Sequence, residues 1–233
     1  RTERNAAQAA ASGLIHAKER ELRDGFLKLH AQEIYARLTA GRSKFLRVEE
    51  LMPEPARLVP GLTPDAEAMV AENARPLREK EGIETDHGIL LSHILACPDS
   101  GLHLCHAMLL PRPEAPELLP RLEKDGAVDL GLTHVSRMGK ASVVQFPSLK
   151  TLNALDDAVV PPLEIAVDLA ILDRATEIAV LRGGRIEHPK YAGRPIFSSG
   201  LNLTHLYQGK ISFLFYFRHV MGFENKIFRG LAR

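Results

Sequence analysis

The stretch Phe197-Ser198-Ser199-Gly200-Leu201 has the residue types from which a backbone anion site can be made. A short apolar approach, Pro195-Ile196-Phe197, leads into two serines and a glycine, and Leu201-Asn202-Leu203 opens a further apolar segment that continues into Thr204. A small-small-Gly turn between a strand and a helix can leave N–H groups unpaired and aimed at one point. Glycine permits a φ that its neighbours adopt only with strain, and small side chains let a ligand approach the backbone. Amides so placed stabilise a developing oxyanion, and a helix N-terminus adds a favourable field. From spacing alone, an ordinary strand-to-helix turn is the simpler reading.

A second group of reactive residue types is Asp86, His87, His93, Cys97, His103, Cys105 and His106. His93 and Cys97 stand four apart, so they can share a helix face, and Cys105-His106 can close a zinc site. The group has no paired Cys-x-x-Cys, and the residues between read as ordinary amphipathic helix. A free cysteine is commonly buried as a small hydrophobe. We expect no metal there.

These residues must be positioned by two kinds of structure. Ala6 to Leu38 is rich in strong helix formers, with Leu22, Phe26 and Leu29 at helical spacing. Pro53, Pro55 and Pro60 break that pattern, and Thr63-Pro64-Asp65 opens another helix over Ala66 to Ala74, with Thr63 as N-cap. Further helices are expected from Asp86 through Leu95 and from Leu102 to Leu110. Pro111 to Pro120 holds four prolines and reads as a stiff connector.

Beyond it the pattern changes. Leu132 to Val135 and Ala141 to Phe146 are β-rich runs around a Met138-Gly139-Lys140 hairpin signal. Pro162 to Asp173 is helical, and Ile178 to Leu181 is a short apolar run closed by Gly183-Gly184. Helix, strand and glycine turn in that rhythm are α/β. The expected organisation is an all-helical domain over residues 1–125 and an α/β domain over residues 126–233.

The composition bounds the function classes. With 233 residues, 45% hydrophobic and 25% charged, the chain can bury a sizeable core. A net charge of +1 and a pI near 8.0 provide no basic field for nucleic acid. Two cysteines are too few for a secreted disulfide framework, and no apolar run approaches membrane-spanning length. With no signal pattern at the N-terminus, a cytoplasmic protein is the expectation. Arg1 in place of methionine, and no evident closing element before Arg233, read as edges of a longer chain.

Lys140 to Leu203 resembles the opening stretch of the enoyl-CoA hydratase/isomerase (crotonase) superfamily. The matching pieces, in order, are Leu152-Asn153-Ala154-Leu155 after the hairpin, a helix, Ile178-Ala179-Val180-Leu181-Arg182-Gly183-Gly184, and Phe197-Ser198-Ser199-Gly200. The whole chain is similar to a branch of cofactor-free dioxygenases that act on dihydroxyphenylacetyl-CoA in glycopeptide-antibiotic biosynthesis. The helical first half and Gly200-Leu201-Asn202-Leu203 carry that closer resemblance.

The resemblance implies the first half of a crotonase-type ββα spiral, with its second half not in this chain. It makes the N–H of Leu201 an oxyanion donor, with Gly200 allowing the geometry, and places the second donor in the missing half. It implies an enolate of the thioester that reacts with O2 without metal or flavin. Hydration, isomerisation or thioester hydrolysis are the alternative superfamily reactions. A homo-trimer or hexamer follows by resemblance too.

The substrate positions carried over are Leu155, Ser199, Asn202, Leu203, Thr204, Arg218 and His219. Leu155 stands where the branch has a glutamate, and Arg218-His219 where it has an arginine pair. Both departures bear on which acyl group is bound. The loop from Arg185 to Arg194, with His188, Lys190 and Tyr191, offers contacts for coenzyme A, although a solvated surface loop is the simpler reading. Phe213, Phe215, Tyr216 and Phe217 can wall a dry pocket or simply pack a core.

Overall fold

A computed structural model describes residues 5–146 and 151–232. The chain divides into two compact units, residues 1–108 with 207–214 and residues 109–206 with 215–233.

The first unit is helical. Helix α1 (Ala6–Leu38) begins with a reciprocal cap, in which Gln8 N–H donates to Asn5 Oδ1 at 2.9 Å and Asn5 N–H donates to Gln8 Oε1 at 3.0 Å. It stops where Ala40, Gly41 and Arg42 all take positive φ. Its buried face is Leu27, Ala31, Ile34 and Tyr35, packed along α5 (Thr85–Ala96). The periodic trio Leu22, Phe26 and Leu29 lies instead on the outer face, 66%, 38% and 78% exposed. The N-terminal part of α1 is held by polar groups. Arg20 donates to Gly82 O at 2.8 Å, Arg23 donates to Leu62 O at 2.6 Å, and Arg23 pairs with Asp86 at 3.0 Å.

Between α1 and α5 lie the short helices α2 (Val48–Leu51) and α3 (Pro55–Leu58), then α4 (Ala66–Asn73). The cap of α4 differs from the sequence expectation. Asp65 rather than Thr63 is the N-cap, because its carboxylate meets the Ala68 N–H at 2.8 Å from an extended backbone, while Thr63 is buried. Helix α6 (Pro98–Leu109) starts four residues before the expected Leu102. Residues 207–214 belong to this unit. Gly209 lies so close to the chain that a Cβ there would come within 2.8 Å of Arg75 O, and the Phe213 ring lies against Gly88.

The second unit is α/β. Its first helix, α7 (Glu114–Asp125), occupies much of the stretch expected as a connector. The prolines are tolerated because Pro113 is the N-cap and Pro116 lies in the first turn, where amides lack intrahelical partners anyway. Only Pro120 is interior, and Gly126 at φ 72° ends the helix.

A four-stranded sheet of order β1-β2-β3-β4 follows: β1 (Ala127–Asp129), β2 (His134–Met138), β3 (Ala141–Gln145) and β4 (Ile178–Arg182). The hairpin appears as expected, with Met138 opposite Ala141 and Gly139 at φ 61°. Strand β1 carried no sequence expectation. Strands β3 and β4 run parallel, Ala141 opposite Ile178, joined through α8 (Val160–Leu172).

The core of this unit includes Val128, Val135, Val144, Leu163, Ala166 and Leu169. After β4 come α9 (Leu203–Tyr207), α10 (Phe215–Phe217), a π-helical stretch over Arg218–Glu224, and α11 (Asn225–Arg229). Among the described residues, no helix is long and apolar enough to cross a membrane.

Candidate functional site

The turn at 197–201 is built against the segment 151–157. Leu152 and Asn153 both take left-handed backbone, at φ 54° and 57°. Asparagine tolerates that region far better than most side chains. The Asn153 side chain is fully buried and donates to Ile196 O at 2.7 Å and Gly184 O at 3.3 Å, while the Asn153 backbone carbonyl accepts the Ser198 hydroxyl at 2.8 Å. One side chain thus joins the glycine pair that ends β4 to the approach of the turn. Gly183 and Gly184 have no room for a side chain: a Cβ on Gly183 would stand 1.9 Å from Ile196 O, and one on Gly184 would stand 2.5 Å from Phe146 O.

Leu155 and Leu201 form an isolated parallel bridge. Leu155 N–H donates to Gly200 O at 2.8 Å, and Asn202 N–H donates to Leu155 O at 2.9 Å. In a parallel bridge of this kind, both bonds are made by the flanking residues of one segment. The N–H and C=O of Leu201 therefore point away from the 151–157 segment. The Leu201 N–H has no protein partner among the described residues, and Leu201 is half-buried. Gly200, exposed and at φ 84°, turns the chain into this position with nothing within 4 Å of where a Cβ would stand. The arrangement offers one outward backbone donor, as an oxyanion site requires.

The remaining turn positions divide by burial. Ser199 N–H donates to Leu152 O at 3.1 Å. Asn202 is buried and acts as a cap: its Oδ1 accepts the His205 N–H at 3.1 Å, and its Nδ2 donates to Asp156 Oδ2 at 3.0 Å. Leu203 and Thr204 are exposed on the first turn of α9.

The structure brings Leu155 against Leu201 and ties Arg218 to the same segment through an ion pair with Asp157. His219 pairs with Glu224 at 3.1 Å and stacks on Phe215 and Phe223, each with ring centroids 5.5 Å away. Burial holds its imidazole below the usual range, with Glu224 pulling the other way. An aromatic line continues from Phe223 to Phe146 at 6.3 Å and from Phe146 to Phe197 at 4.7 Å. It links the π-helical stretch to the turn. Phe213, the first of the expected wall residues, lies in the other unit.

His188, Lys190 and Tyr191 form their own small cluster. His188 and Tyr191 rings are 5.2 Å apart, with Lys190 Nζ 5.3 Å from the Tyr191 ring. They make no hydrogen bond to the turn. Beside them lies an open cavity of about 350 Å³ whose lining includes Arg182, Gly184, Arg185 and Arg194.

Asp156 and His205 were not singled out by the sequence reading. Asp156 is buried; its Oδ1 accepts the Ala158 and Val159 N–H groups, both at 3.1 Å, and its Oδ2 lies 2.8 Å from His205 Nδ1. The sequence signals available were an acidic residue directly after Asn153-Ala154-Leu155 and a histidine three residues after an N-capping Asn. Each is common alone. In the helical unit, His93 pairs with Asp24 at 2.8 Å and His103 meets the Tyr35 hydroxyl at 2.7 Å. Among the described residues, no group of three or more His, Cys, Asp or Glu is arranged to hold a metal ion.

No family model matches the chain. Over 230 residues, 98% of its length, it is 41% identical to a (3,5-dihydroxyphenyl)acetyl-CoA 1,2-dioxygenase from Amycolatopsis orientalis. The match covers 53% of that protein, so the chain spans about half the length of the curated relative.

Proposed function

We propose that this chain is part of an oxygenase acting on an arylacetyl-CoA thioester of the dihydroxyphenylacetyl-CoA kind. In this reading residues 126–233 are the opening part of a crotonase-type ββα spiral, preceded by a helical domain over residues 1–125. The thioester oxygen rests on the Leu201 N–H, the α-carbon loses a proton, and the resulting enolate reacts with O2. The electron-rich dihydroxyphenyl ring supplies the electron that O2 accepts, so neither metal nor flavin is needed. Loss of one such oxyanion donor costs about 10²–10³ in rate.

The observation that carries the reading is the outward Leu201 N–H, without a partner among the described residues, in a chain 41% identical to an enzyme named for that substrate. Other features agree with it. The order hairpin, α8, β4 is that of a ββα unit. Arg182, Arg185 and Arg194 at the cavity suit the phosphates of coenzyme A. Leu155 at the bridge keeps the neighbourhood of the oxyanion apolar, which favours an arylacetyl group and shelters the enolate from water. A homo-trimer or hexamer is part of the same reading.

The test is oxygen uptake by the full-length protein with (3,5-dihydroxyphenyl)acetyl-CoA after exhaustive chelation. Uptake at one O2 per thioester consumed is expected. No uptake, or uptake restored only by added metal, overturns the reading. Hydration of an enoyl-CoA in its place moves the protein to the hydratase/isomerase reactions.

A further inference from the structure

We propose that His205, held by Asp156, is the base that removes the α-proton of the thioester at this site. The proposal rests on the thioester-enolate reading and names the group which that chemistry still lacks. An enolate forms only when a base takes the α-proton, and a positioned base contributes about 10²–10⁴ in rate.

Asp156 and Asn202 each stand one residue beyond the Leu155–Leu201 bridge, on their respective segments. Successive side chains alternate between faces of an extended pair, so Asp156 and Asn202 share one face, as their 3.0 Å hydrogen bond shows. His205 follows one turn later and brings Nδ1 to 2.8 Å from Asp156 Oδ2, with its backbone N–H donating to Asn202 Oδ1. The buried carboxylate is satisfied on every side. Two backbone amides hold Oδ1, while Asn202 and His205 hold Oδ2. It fixes the tautomer that carries its proton on Nδ1, leaving Nε2 with a free lone pair.

Nε2 has no protein partner among the described residues, and the side chain is 35% exposed. The oxyanion donor, Leu201 N–H, lies in the plane between the two faces, and the imidazole stands on one of them. Other imidazoles of this unit are less suited. His219 is stacked and tied to Glu224, His188 lies in the loop with no bond to the turn, and His134 lies in β2, opposite Asp129 and Gln145.

The step balances as a proton transfer. The α-carbon C–H bond breaks and its electron pair enters the enolate, whose charge rests on the oxygen at Leu201 N–H. An N–H bond forms at His205 Nε2, and the Asp156 carboxylate faces the new imidazolium. The oxidation that follows is the business of O2 and is not assigned to His205.

The experiment is α-proton exchange in D2O without oxygen, followed by mass spectrometry on three probes: (3,5-dihydroxyphenyl)acetyl-CoA, phenylacetyl-CoA and butyryl-CoA. Full-length protein is compared with His205→Gln and Asp156→Asn, with thioester binding and circular dichroism measured on each. We expect His205→Gln to bind thioester as the parent does and to exchange about 100-fold more slowly or worse. Asp156→Asn should fall between. Exchange in His205→Gln within about threefold of the parent overturns the proposal, as does a parent that exchanges none of the probes. A parent that exchanges in a His205-dependent way but consumes no oxygen overturns the oxygenase reading and leaves His205 as the base.

Discussion

Leu155 and Leu201 meet in a bridge in which Leu155 makes both hydrogen bonds, and the amide left facing outward is that of Leu201. The residue that organises the turn and the residue that offers the donor are therefore different, and they are 46 positions apart in the chain.

Leu201→Pro separates the two roles. It deletes an N–H that has no protein partner among the described residues, and proline is tolerated where an amide faces away from its partner strand. Melting temperature should fall by a few degrees at most, which corresponds to roughly 1 kcal/mol. Turnover of the thioester should fall about 10²–10³-fold. An equal loss of fold and activity would show that the amide is structural.

Two glycines of the site should respond differently to alanine. Gly183→Ala puts a Cβ 1.9 Å from Ile196 O and 2.6 Å from Asn153 Nδ2, so the backbone of the approach must move. Gly200→Ala meets open space and suffers only the strain of φ 84°. Denaturant melts should show the first costing several-fold more than the second, which should cost about 1–2 kcal/mol.

Lys226 is buried with its ammonium 2.7 Å from Glu164 and 2.8 Å from Asp168, which also accepts the Arg112 N–H at 2.7 Å. Lys226→Met leaves two carboxylates short of a partner and should cost about 3–5 kcal/mol. Burial pushes Asp168 up to about 6 despite the opposing pull of Lys226 and the Arg112 amide. A raised carboxyl contributes stability in full below its unfolded value near 3.8, and that contribution is lost as pH rises through about 6. Asp168→Asn should therefore flatten the pH dependence between pH 4 and 6, measured as the difference in melting temperature from the parent.

His87 should act in the opposite sense, in the helical unit. Burial lowers its imidazole to about 4, partly offset by the Pro64 backbone. A depressed histidine contributes stability that is present above its unfolded value of 6.5 and lost as pH falls through about 4. The loss should be on the order of 3 kcal/mol over that window. His87→Leu should remove this acid sensitivity, as read by hydrogen exchange of α5 amides at pH 7 and pH 4.5. Equal acid protection in parent and variant would assign the effect elsewhere.

Much of the local structure was legible in the sequence. Helix α1, the β2–β3 hairpin, α8 and β4 follow from apolar periodicity, propensity and turn residues within a few positions of one another. The departures also have local causes. Asp65 displaced Thr63 as the cap because its carboxylate reached the Ala68 amide, and the proline-rich stretch became α7 because two of its prolines sit where a helix has no amide to satisfy. The outer apolar stripe of α1 could not be told from a buried one by spacing, since periodicity reports that a face exists and not what covers it.

By itself, then, the sequence determined helix α1, the β2–β3 hairpin, α8 and β4, together with the Phe197 to Leu201 turn and its family resemblance. Tertiary structure alone decided that Asn153 clamps Gly184 and Ile196, that Leu155 turns the Leu201 amide outward, and that Asp156 holds His205. Each of those pairings joins residues 31 to 49 positions apart. The physical reason is range. Helix and strand patterns are written in neighbours, whereas these bonds depend on where the chain returns after a whole helix and strand have packed.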